Sequence, residues 1–178
     1  MSDSTSPLGN KHRADFDPLA REKTSDTAKG EPALAAVDLG LRSGMAFFDA
    51  KGRLLSVRSL SFASHAALKD AVFTLLPSSL RELWCEGDPH LAAIWGKVIQ
   101  KRHGKLHVVS AEQWRPHLLT LKEQRSGKVA KEAALRRAHA LMASEGIPKR
   151  SRSDDVAEAV LLGRYALAKL GWRSLEIP

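Results

Sequence analysis

The stretch ALAAVDLGLRSGMAFFD, residues 33–49, decides how this chain is read. Ala33 to Val37 is an apolar run of the length of a buried strand, and it ends in a carboxylate, Asp38. Gly40 and Gly44 mark a turn, after which Gly44 to Asp49 resumes as a second strand. Arg53 to Leu60 (RLLSVRSL) is strand-like again, separated from the second by Ala50, Lys51 and Gly52. Three strands so spaced form an antiparallel meander.

Downstream, Leu68, Ala71, Val72, Leu75 and Leu76 repeat at helical spacing after Ser64, and the pattern stops before Pro77. Glu82 to Glu86 (ELWCE) reads as a fourth strand. Leu91, Ile94, Trp95 and Val98 give an amphipathic helix, with Asp88 placed to cap it, and Leu106 to Val109 give a fifth strand. Ala134, Leu135, Ala138, Leu141 and Met142 share one helical face. Gly146 to Ser153 form a basic loop, and a last helix runs from about Asp154 to Leu170. Upstream, residues 1–32 are rich in small and polar residues and are expected to be a disordered tail, leaving 33–178 as one domain. The element order predicts an α/β fold with a mixed five-stranded sheet, three strands antiparallel and two added in parallel, flanked by helices.

Composition narrows the functional classes. A lone cysteine, Cys85, forbids an intrachain disulfide and a Cys-rich zinc site. No apolar run approaches the roughly 18 residues of a membrane span, and the N-terminus lacks the apolar core of a secretory signal. The expectation is a cytoplasmic protein with no membrane partner. The net charge of +8 is unevenly placed, for residues 101–152 carry thirteen basic and four acidic side chains while residues 1–32 carry five and six. A basic block inside the folded part is the footprint of a phosphate-backbone binder, although a solvated helical face has the same composition.

Asp38 and Glu86 each close an otherwise apolar strand, at the carboxyl edge where ligands of such sheets bind. The last helix adds Asp154, Asp155 and Glu158, of which Asp155 and Glu158 are three apart and share a face. Acids at a helix N-terminus also simply complement its dipole, with Ser151 or Ser153 as the cap. Cys85 should point to the sheet face opposite Glu86, as a buried thiol. His103 and His107 do not share a helical face, so a metal site there is not expected. Trp95 and Trp114 are expected in the core, with Trp114 beside Arg115 open to stacking on a base.

Together these residues resemble the RuvC-type branch of the RNase H-like nucleases, which includes Holliday-junction resolvases, over roughly Ala33 to Tyr165. AAVDLG matches the first strand of that family, LWCEG the fourth, and Asp155-Val-Ala-Glu158 the acidic pair of the last helix, with Glu at 158 in place of the commoner Asp. The resemblance implies an RNase H-like fold and a metal-dependent endonuclease. Asp38, Glu86, Asp155 and Glu158 would be the catalytic residues and metal ligands, with Asp154 as the rival of Asp155. It also implies a lysine near the scissile phosphate, Lys131, assisted by Lys122 or Lys128. Two Mg²⁺ ions, replaceable by Mn²⁺, suit such a set. Mg²⁺ takes hard oxygen ligands, and a metal pair about 4 Å apart stabilises the attacking and leaving oxygens of a phosphodiester. The implied substrate is branched DNA, cut by a homodimer. The alternatives are an RNA-directed nuclease of the YqgF type and a non-catalytic basic nucleic-acid-binding module.

Overall fold

The computed structural model describes residues 30–148 and 153–175. In it the apolar run that opens the fold is β1 (Leu34–Leu39), followed by β2 (Arg42–Phe48) and β3 (Leu54–Ser61). β1 pairs antiparallel with β2, and β2 with β3. Helix α1 (His65–Leu75), started by the Ser64 hydroxyl accepting from the Ala67 N–H, carries the chain to β4 (Glu82–Gly87), parallel to β1. Helix α2 (Pro89–Lys101) carries it on to β5 (Lys105–Val109), parallel to β4. The sheet order is β3-β2-β1-β4-β5, the mixed five-stranded arrangement expected from the element order.

Side chains alternate between the two faces of a strand, so each strand feeds two cores. Ala35, Val37, Phe47, Leu83 and Cys85 pack with Leu68 and Val72 of α1 and with Leu91, Trp95 and Ile99 of α2. Leu34, Ala36, Phe48 and Trp84 face the other way, onto α5 (Asp154–Lys169), with α4 (Gly127–Ser144) and α3 (Ala111–Leu118) behind it. Every residue of α5 from Val156 to Leu167 is buried except Glu158, which is half-buried. A helix enclosed on nearly all sides has no room for error in its distance from the sheet, and two glycines set that distance. A Cβ on Gly44 would lie 1.9 Å from the Asp155 carbonyl oxygen, and one on Gly163 would lie 2.2 Å from the Phe48 ring.

Three features depart from the sequence expectation. Gly44 belongs to β2, which begins at Arg42, and its lack of a side chain serves helix approach and not a turn. The turn itself is Leu39 to Leu41, closed by the buried Ser43 hydroxyl donating to the Gly40 carbonyl at 2.7 Å. Helix α3 was not anticipated. Other expectations hold: Asp88 caps α2 by accepting from the His90 N–H at 2.6 Å, Trp95 and Trp114 are fully buried, and so is Cys85. His107 stacks on Trp84 and meets Glu82 at 2.7 Å, a contact that belongs to the core's edge. The tail expectation for residues 1–29 and the capping role of Ser151 lie outside the described residues. Among the described residues no helix is long and apolar enough to cross a membrane.

Candidate active site

A single register row crosses the sheet near its carboxyl edge, Ser59–Gly44–Asp38–Glu86–Val109 from β3 to β5. Residues in one row of paired strands present their side chains to the same face. Asp38 and Glu86 are therefore neighbours on the α5 side of the sheet. The Gly44 gap beside them is where the first turn of α5 comes down, and this turn brings Asp155. Three residues later Glu158 faces the same space. All four carboxylates line one open cleft of about 570 Å³, together with Asp154 and Ser153.

The acids are not equivalent. Asp38 is the most perturbed, raised from 3.8 to about 7 by burial first and then by the charges of Glu86, Glu158 and Asp155, with Arg115 opposing them. Glu86 is also raised, by burial and by Glu158, against the Trp114 indole N–H that donates to it and the charge of Arg115. Asp155 goes the other way. Burial would raise it, but the Ser59 hydroxyl, donating at 2.5 Å, and other hydrogen bonds and the charge of Arg42 hold it below the usual carboxylate range. The longer arm of Glu158 does reach the cleft, where Arg115 Nη2 lies 3.1 Å from its Oε2. Asp154 also lines the cleft but is largely exposed, 3.2 Å from the Lys131 ammonium.

Cations border the acids. Lys131 on α4 and Arg42 at the start of β2 both line the cleft, and Arg115 of α3 lies 3.9 Å from Glu86 as well as close to Glu158. Lys122, in the loop between α3 and α4, and Lys128, in the first turn of α4, are exposed and lie outside the cleft wall. Trp114 is unavailable for stacking on a base, since its ring is fully buried and its N–H is spent on Glu86. Sequence reasoning missed Ser59, Arg42 and the roles of Trp114 and Arg115. The one local signal was the capping box Ser110-Ala-Glu-Gln113, whose Gln113 side chain accepts from the Ser110 N–H at 2.7 Å and starts α3.

The donor set suits a hard divalent cation: among the described residues the cleft wall carries Asp38, Glu86, Asp155, Glu158 and the exposed Asp154, with no thiol or imidazole. The charges of Glu86, Glu158 and Asp155 add to the burial that raises Asp38. In the arrangement described, oxygens of three of them are turned to protein donors. Among the described residues no three acidic, histidine or cysteine side chains converge closely enough to hold an ion. Glu86 is taken by Trp114, Asp155 by Ser59, and Glu158 by Arg115.

A stability measurement reports on this burial and repulsion together. A carboxyl whose folded pKa is raised binds its proton more tightly folded than unfolded, so its charge destabilises the fold as pH rises. For Asp38 the cost is absent below pH 3.8, grows up to about pH 7 and is complete above it. Water in the open cleft screens the interaction, which leaves a cost of about 1–3 kcal/mol. Metal-free protein is expected to show this loss in urea unfolding between pH 5 and pH 8, and Asp38→Asn to remove most of it. Equal pH dependence in the two proteins would refute the assignment.

No family model and no curated protein matches the sequence. Among solved structures the chain is similar to T. thermophilus RuvC in complex with a Holliday junction substrate, with a TM-score of 0.51 and 16% identity, covering 80% of this chain and 98% of that one. The sequences have diverged far, while nearly the whole of that chain is matched. With its mixed sheet, its two parallel crossovers and its long final helix packed across β1 and β2, this chain has an RNase H-like fold, similar to that of the RuvC chain.

Proposed function

We propose that this chain is a divalent-metal-dependent endonuclease that hydrolyses phosphodiester bonds in branched DNA, with Asp38, Glu86, Asp155 and Glu158 as its catalytic residues and metal ligands. The observation that carries the reading is that Asp38 of β1, Glu86 of β4 and Asp155 and Glu158 of α5 line one cation-bordered cleft. Bound there, two Mg²⁺ ions, or Mn²⁺ in their place, would supply an activated water and neutralise charge on the attacking and leaving oxygens. The chain's own residues have separate tasks. Asp38 and Glu86, fixed by adjacent strands, are the rigid pair; Asp155 is held below the usual carboxylate range by hydrogen bonds, that from Ser59 foremost, which favour its charged form. Lys131 and Arg42 hold the phosphate backbone over the acids, and Lys122 of the preceding loop and Lys128 of α4 extend the basic path.

Branched DNA is favoured because the structural neighbour is a RuvC bound to a Holliday junction substrate. Symmetrical cutting of such a junction calls for two sites related by a two-fold axis, and hence a homodimer. One observation favours a second reading. Arg115 already compensates Glu86 and Glu158, as it would in a module that binds nucleic acid without cutting it.

Labelled four-way DNA junction, linear duplex and structured RNA, each incubated with Mg²⁺ or with chelator, separate these readings. Metal-dependent cleavage of the junction in preference to the duplex is the expected result. Salt-sensitive binding without cleavage under Mg²⁺ or Mn²⁺ would establish the binding module, and preferred cleavage of RNA would move the activity to the YqgF-like alternative.

A further inference from the structure

Among the described residues Arg115 is the cation that lies close to both Glu86 and Glu158, and its surroundings give it two places to be. Its Nη2 lies 3.1 Å from Glu158 and 3.9 Å from Glu86, so one guanidinium spans carboxylates carried by β4 and by α5. On its other side Arg115 lines a second cavity of about 250 Å³ between α3 and the start of α4, bounded by Pro116, Leu119, Gln124 and Ser126. The side chain is 37% exposed, and its guanidinium carbon lies 5.3 Å from the centre of the Trp114 ring, a cation–π contact that leaves the charged head open to solvent. Arg115 thus stands on the wall between two spaces.

We propose that Arg115 is the resident counter-ion of the acid cluster, and that a divalent cation binding Glu86 and Glu158 displaces it towards the α3–α4 cavity. The proposal rests on the metal-site reading above and adds a competition to it. A guanidinium and a metal ion cannot both take the facing oxygens of the same two carboxylates, so each weakens the other. A displaced guanidinium is then left in the cavity that Glu112 also lines, next to the start of α4, where a backbone phosphate can share it with Glu112. Metal and nucleic acid therefore bind with positive coupling, and the site fills with metal mainly when a strand is present. Arg115 is in this account a positioning residue that sets metal affinity.

Mn²⁺ titration of the full chain by calorimetry tests this without any turnover. Arg115→Gln is expected to bind Mn²⁺ about tenfold more tightly than wild type, with Arg115→Lys between them, because a lysine keeps the charge but loses the planar fork that spans both acids. Equal or weaker Mn²⁺ binding by Arg115→Gln overturns the proposal while leaving the metal site intact. No Mn²⁺ binding by wild type or by either variant overturns both. If Arg115→Gln does not fold without metal, the comparison of Arg115→Lys with wild type decides: tighter binding supports the competition, and equal or weaker binding ends it.

Discussion

Asp38→Asn is expected to lower junction cleavage by about 10²–10³-fold or more, the scale on which one preorganised charged group acts, while nucleic-acid binding survives. The same substitution should make metal-free protein more stable at pH 8. Both effects have one cause. Asp38 sits at the centre of the row, adjacent to Glu86 and below Asp155 and Glu158, and burial with these neighbours raises it to about 7. An amide of the same shape keeps the packing, removes the repulsion and removes a ligand. Gel-based cleavage with labelled junction, a binding titration in chelator and thermal unfolding at pH 8 read the three quantities. Wild-type cleavage by Asp38→Asn would remove this residue from the site, whatever its effect on stability.

Gly44→Val should be the most damaging single change to the fold. Its first side-chain carbon would lie 1.9 Å from the Asp155 carbonyl oxygen and 2.6 Å from the Val156 nitrogen, both backbone atoms that no rotamer change can move aside. Either α5 lifts from β1 and β2 or the sheet bends. A loss of about 3 kcal/mol or more follows, a fall in Tm of roughly 6–12 °C for a domain of this size. Cleavage should fall with it, because Asp155 and Glu158 ride on the displaced turn. Gly127→Ala is the control: nothing lies within 4 Å of a Cβ there, and its change should stay within about 1 kcal/mol. A Gly44→Val protein melting within two or three degrees of wild type would show that α5 does not need this approach.

The two substitutions also mark what the sequence made legible. β1 and β4 were readable because strands buried on both faces are continuous apolar runs, and a carboxylate closing such a run stands out, as Asp38 and Glu86 do. α5 was readable as a helix from about Asp154 to Leu170, but its burial on nearly all sides was not. Helix α3 was not, because eight residues with Pro116 among them and only Trp114 and Leu118 buried give too short a pattern. The partners of the acids were invisible for a different reason. Ser59 and Asp155 are 96 residues apart, Arg115 and Glu158 are 43 apart, and Trp114 and Glu86 are 28 apart. No local pattern links such pairs. Gly44 was misread because a glycine needed for close approach looks, in sequence, like one needed for a turn.

The account stands or falls on whether the four carboxylates bind metal together. Crystals soaked in Mn²⁺, with and without a bound junction strand, would locate the ions by anomalous scattering. Peaks are expected at coordination distance from Asp38 and Glu86 and from the Asp155–Glu158 turn, stronger when the strand is present. Peaks confined to other carboxylates, or none beside Asp38 under conditions in which the protein cleaves DNA, would contradict it.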